Sequence, residues 1–224
     1  MLKVALELHL RTLWCLPHQN AVPPLVNEDD KAHYARRFTN EGQVKTSVTA
    51  SLDQHSISII EARGRVEALL RQLPEGSIIS KNIGRIGEGH LLSMFRTVAT
   101  LGLQRWAPDV LSGDPDSMYN LLHEHLALTT FEQVASGFGY AHMAVNMALI
   151  HDFPLMRKIY RSFVYSYMHG LAKLESKTPG GVEKGKLMGN VWKRRAEVCP
   201  LLYFRPILIR AISFLMAELL SSRT

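Results

Sequence analysis

The chain has 224 residues, enough for one large domain or two small lobes around a substantial core. Apolar residues make up 46% and charged ones 21%, which argues against wholesale disorder. Two cysteines, Cys15 and Cys199, make neither a disulfide framework nor a zinc site and fit free thiols in a reducing compartment. The net charge of +6 admits nucleic acid or an anionic membrane as partner without selecting either.

The charge is uneven along the chain. From Phe153 to Thr224 there are 13 Lys or Arg against 4 Glu, whereas the first 152 residues hold 13 against 16 Asp or Glu. A polyanion would favour the C-terminal third.

Residues Lys3 to Arg11 alternate Val4, Leu6, Leu8 and Leu10 with more polar neighbours, a period-two pattern that leans towards a strand although Leu, Glu and Ala are good helix formers. Glu7, His9 and Arg11 make the same stretch a poor signal-peptide core. "PHQNAVPPLVNEDDK" then reads as an exposed connector, and "KTSVTASLDQHSISII" as a short hairpin. Residues 1–55 are therefore expected to form an irregular or short-strand N-terminal arm.

From about Ile57 the helical period takes over. Ile59, Ile60, Val66, Leu69, Leu70 and Leu73 form one stripe ending at Pro74, and after a glycine-rich turn Leu91, Leu92, Phe95 and Val98 form another. Asp114 or Asp116 is placed to cap a segment through Leu128, Thr130 to cap a long one through Ile150, and Pro154 marks the next boundary. The fold class is mainly α, a multi-helix globular domain of roughly six to eight helices, with a helical core at 56–176, a basic Gly-rich loop at 177–198 and a C-terminal apolar helix at 199–224. The last contains "PILIRAISFLMAELL", which carries Arg210 and falls short of the roughly 20 apolar residues of a membrane span. A helix apolar on every side must be covered on every side, in the core or in a neighbouring subunit.

The loop "KTPGGVEKGKLMGNVWKRR", Lys177 to Arg195, has six Lys or Arg and four Gly. Gly180, Gly185 and Lys186 match a nucleotide-binding loop, but Leu187 stands where a magnesium-holding hydroxyl is needed, and no buried strand precedes it. The electrostatic reading places Lys184, Lys186, Lys193, Arg194 and Arg195 on phosphates, with Trp192 stacking on a base. "SKNIGRIGEGHLL" leads into a helix, where Lys81 and Arg85 are candidates to hold a phosphate. Arg157, Lys158 and Arg161 form a second row.

His123 and His125, two apart on a helix, point to different sides and do not share a metal easily. His142, His151 and His169 read as packing or capping residues, and Tyr140, Tyr160, Tyr165 and Tyr167 as core. Ser136 lacks the G-x-S-x-G setting of a nucleophile. The reading is a chain without catalysis, metal or cofactor.

The segments "VPPLVNEDDKAHYARRF" (Val22 to Phe38) and "FEQVASGFGYAHMAVNM" (Phe131 to Met147), with the basic C-terminal third, loosely resemble nucleoproteins of negative-strand RNA viruses. The nearest are the rhabdovirus group, its plant-infecting members and relatives captured in host genomes. The resemblance implies a helical protein that binds the RNA backbone without sequence preference and polymerises by exchanging terminal segments.

The expected function is thus that of a non-catalytic RNA-binding protein of nucleocapsid type. Its partners would be single-stranded RNA and further copies of itself, without membrane insertion. Its place would be intracellular, in cytoplasm or nucleus, or in the virion if viral. The alternatives are a helical scaffold module with an acidic partner and a nucleotide-binding enzyme using residues 180–187.

Overall fold

A computed structural model of the chain describes residues 1–53, 59–190 and 193. The chain divides into two units, Met1–Lys177 and Thr178–Thr224. Among the described residues the first unit has nine α-helices, and no strand occurs. The protein is mainly α.

The helix α1 (Leu2–Leu13) replaces the strand that the alternating pattern favoured. It buries nearly its whole circumference, from Leu2, Ala5 and Leu6 round to Leu8, Leu10 and Leu13, so no 3.6-residue stripe stands out. It ends in a Schellman motif, in which Leu16 N–H donates to Arg11 O at 2.8 Å and Cys15 N–H to Thr12 O at 3.0 Å. Cys15 takes the left-handed conformation there, with φ 57°, at a position where glycine is the usual choice.

Two more helices occupy what the sequence offered as a connector and a hairpin. In α2 (Glu28–Arg37) the Asn27 side chain caps the start. Glu28, Asp29 and Asp30 fill the first turn and Arg36 and Arg37 the last, the order that complements the helix dipole. Only Tyr34 of this helix is buried. In α3 (Glu41–Asp53) Val44, Val48 and Ser51 face inward, a helical i, i+4, i+7 spacing that outweighs the β-propensity of the Val and Thr residues. Asn40 accepts from Gln43 N–H while Gln43 accepts from Thr39 N–H, close to a capping box.

The helices α4 (Ile59–Arg71) and α6 (Glu88–Thr100) form where stripes were expected, with Val66, Leu69, Leu91, Phe95 and Val98 buried, but Ile59, Ile60 and Leu70 of the first stripe are exposed. The segment read as a glycine-rich turn between them contains α5 (Ile78–Gly84), with Ile83 buried. The hub is α7 (Met118–Ser136), which contacts α1, α2, α3, α6 and α8 (Phe153–Ser162). Ser117, rather than either nearby aspartate, caps α7 by accepting from Asn120 N–H. Thr130 does not start a helix. It lies buried within α7 and donates to Leu126 O at 2.7 Å. The helix stops at Gly137, so residues 118–150 form one helix and a run of short turns instead of two long helices.

Asp152 caps α8, with Pro154 in its first turn, where the missing N–H costs nothing. The chain then runs without a break through a π-helical segment (Phe163–Met168) into α9 (His169–Lys177). In the second unit a turn at 178–180, with Gly180 at φ 74°, leads into helix at 181–190. The apolar stretch at 206–220 lies outside the described residues.

Candidate nucleic-acid interface

The cations proposed as phosphate contacts fall into three settings. Lys81 and Arg85 are exposed, on the last turn of α5 and at its C-cap. Arg85 lies close enough to His142 to help hold that imidazole below its usual range, after the larger effect of partial burial. Among the described residues, neither Lys81 nor Arg85 has a carboxylate within ion-pair distance.

Lys184, Lys186 and Lys193 are likewise exposed and, among the described residues, unpaired. Lys184 and Lys186 stand on a helix rather than in a glycine loop, so Gly180 to Leu187 does not have the strand–loop–helix geometry that cradles a nucleotide's phosphates. Trp192, Arg194 and Arg195 lie outside the described residues.

Arg157 and Arg161 meet different surroundings. Both reach Glu124, which sits on α7 with its side chain wholly buried. Arg161 Nε donates to Glu124 Oε2 at 2.9 Å and its terminal nitrogen to Asp116 at 2.6 Å. Arg157 Nε approaches Glu124 Oε1 to 2.5 Å, as an ion pair rather than an aligned hydrogen bond. Its Nη2 donates to Glu41 at 3.1 Å. Burial opposes the charge on Arg161, but its bonds to Glu124 and Asp116 leave its pKa raised. Glu41 is held below the usual carboxylate range, first by His125, 2.9 Å away, and then by Arg157. This cluster ties α3, α7 and α8 together, and Lys158 beside it on α8 is exposed.

The two histidines of "HEH" do point apart. His123 is buried against Trp106 and Tyr119, while His125 stacks on Phe153 beside Glu41. Of the histidines expected to pack or cap, His169 bonds Val110 O at 2.8 Å, but His142 is exposed and His151 pairs with Glu132 at the surface.

The sequence does not reveal a hollow that folding creates beside α1. A cavity of about 490 Å³ opens between α1, the start of α5 and the junction of α8 with the π-helical segment. Arg11 lies in its wall, 5% exposed, and donates to His18 O and Gln19 O, each at 3.0 Å. Its guanidinium carbon lies 5.4 Å from the Phe163 ring centre and 5.8 Å from that of Tyr167, within cation–π range. The two rings stack, with centroids 5.6 Å apart and an angle of 19°. Tyr140 and Tyr160 are fully buried as expected, but Tyr167 is 42% exposed and borders this cavity. Burial pulls Arg11 below its ordinary pKa and pushes Glu7 up.

A second feature lies at the turn after α7. Phe138 is 71% exposed with φ 63°, an unusual backbone for a bulky residue. A Cβ on Gly139 would fall 2.5 Å from the Val134 side chain and 3.1 Å from its carbonyl oxygen, so glycine lets the turn fold back on the end of α7; one on Gly137 would meet the tip of the His90 ring at 2.7 Å.

No helix among the described residues is long and apolar enough to cross a membrane. Compared with known proteins, the chain matches no family model, and no significant match was found among curated proteins or solved structures.

Proposed function

We propose that the protein binds single-stranded RNA through its phosphate backbone, without base-sequence preference and without catalysis, and self-associates in the manner of a nucleocapsid protein. The observation that supports this reading best is how its cations are distributed. Arg157 and Arg161 are neutralised inside the first unit by Glu124, Glu41 and Asp116. Lys81, Arg85, Lys184, Lys186 and Lys193 remain exposed and face no ion-pair partner among the described residues. Cations left in this state attract a polyanion by releasing its counterions, which needs no base recognition. The apolar stretch at 206–220 supplies the self-associating element in this reading.

The test is fluorescence anisotropy with labelled oligo-U and oligo-A between roughly 50 and 200 mM salt, joined to size exclusion before and after nuclease. Similar affinity for both oligomers, falling steeply with salt, together with a large species that collapses on nuclease treatment, is the expected result. Binding that ignores salt, or no binding to either oligomer, overturns the proposal. A clean small species that instead captures an acidic protein fits the scaffold reading.

A further inference from the structure

The cavity beside α1 combines features that the backbone-binding reading leaves unused. Its wall holds two stacked aromatic rings, Phe163 and Tyr167, with the Arg11 guanidinium beside the pair, 5.4 and 5.8 Å from their centres. Such a stack is the surface on which unpaired bases settle, because every base has a π-face and Arg adds a cationic plane. Tyr167 is its accessible end. The Tyr167 hydroxyl bonds to Gln19 O at 3.3 Å, which fixes the ring without covering it.

The charge around the cavity suits a nucleotide. Lys3 and Arg11 line it together with one acid, Glu7, whose carboxylate lies 3.9 Å from Lys3. The lining therefore carries one net positive charge when all three are ionised. No carboxylate comes within ion-pair distance of Arg11 among the described residues, and its guanidinium donates to the carbonyl oxygens of His18 and Gln19. Asn82 also lines the cavity and follows directly on the exposed Lys81, one of the proposed phosphate contacts. Its side-chain amide both donates and accepts, so it can meet the edge of any base.

We infer that this cavity receives one unpaired base of a bound RNA strand, stacked on Tyr167, with the adjoining phosphates held by Lys3 and Lys81. The inference rests on the proposed RNA binding and goes beyond it. Contact would include a base face as well as the backbone, still without selecting among bases.

The experiment compares the wild-type chain with Tyr167→Ala and Tyr167→Phe, using a single-stranded RNA oligomer, the same oligomer without its bases, and adenosine monophosphate alone. Tyrosine-ring NMR signals and anisotropy are the readouts. Stacking on one base predicts that Tyr167→Ala weakens the RNA oligomer by about 5- to 100-fold. Tyr167→Phe should restore most of that loss, and the baseless strand should not distinguish the three proteins. Adenosine monophosphate should shift the Tyr167 ring signals of the wild type. If the RNA oligomer binds all three proteins equally and the nucleotide leaves Tyr167 unmoved, the base site is wrong while backbone binding stands. If the oligomer fails to bind the wild type but the nucleotide shifts Tyr167, the cavity stands as a nucleotide site and the RNA reading falls. If the oligomer fails to bind the wild type and the nucleotide leaves Tyr167 unmoved, both are overturned.

Discussion

Arg157 and Arg161 on α8 and Lys184 and Lys186 on the helix at 181–190 belong to the same basic third of the chain. The two arginines meet a wholly buried carboxylate, with further partners on α3 and just ahead of α7. The two lysines stand exposed, with no ion-pair partner among the described residues. A cation of the first kind holds helices together and has little charge left for a ligand, while one of the second kind contributes little to stability and keeps its charge for a partner. Charge counted along a sequence sums both kinds, so a net basic segment overstates what a polyanion would meet.

Acid should separate the two settings most strongly. Burial holds His9 and His123 down at about 3, whereas in the unfolded chain each titrates near 6.5. The unfolded state therefore takes up protons first. The stability that the neutral imidazoles lend is complete above about 6.5 and is lost as pH falls towards about 3. The loss should run at about 1.4 kcal/mol per pH unit for each imidazole. Neither ring nitrogen of His123 has a hydrogen-bond partner among the described residues, so His123→Leu should remove about half of that slope at little cost near neutrality. Denaturation midpoints that stay flat from neutral pH down to about 4 would contradict this.

Next in size is Glu124→Gln, which leaves two partly buried guanidiniums without their shared counter-charge. It should cost about 3–5 kcal/mol by urea denaturation. A loss under about 1 kcal/mol, the range of surface pairs, would mean that Arg157 and Arg161 are available after all and belong with the exposed lysines.

Gly139→Ala tests a buried contact at the other end of α7, by volume instead of charge. Its methyl group meets Val134, backbone carbonyl included, and should cost about 1–3 kcal/mol. Thermal denaturation will show whether the turn yields instead.

The smallest expected stability change belongs to the double variant Lys184→Ala, Lys186→Ala, within about 0.5 kcal/mol of wild type. Its RNA binding should nevertheless weaken, with the slope of log affinity against log salt shallower by about 0.7 for each lost contact. An unchanged slope would remove these lysines from the interface.

Much of the helical framework is legible in the sequence. The spacing of Leu91, Phe95 and Val98 marks α6, and Pro154 marks the start of α8. Two kinds of feature stay hidden. Where a helix is buried on almost every side, as α1 is, the stripe that identifies it disappears and the residual alternation resembles a strand. Where a partner is remote, residue type says nothing about whether it is engaged. Glu41 lies 116 residues from Arg157 and 84 from His125, and His9 bonds Tyr140 across 131 residues. Arg11 reads as a charge interrupting an apolar run, and only folding brings it against Phe163 and Tyr167. The candidate lysines were identifiable as surface cations, but not which arginines beside them were already paired.

The π-helical segment at 163–168 gives the chain a counting constraint. An α-helix advances about 100° per residue, and a π turn accommodates a residue more than an α turn. The wider turn thus absorbs a residue that a regular α-helix could take up only by turning everything after it by about 100°, and Met168 and Ala172 still face the core. Deleting one residue between Phe163 and Tyr167 should restore regular α-helix and leave the packing of α9 nearly unchanged, while these two rings lose their spacing of four. At this point the number of residues is itself coded information: the extra one shapes the wall of the cavity, not the packing of the helix that follows.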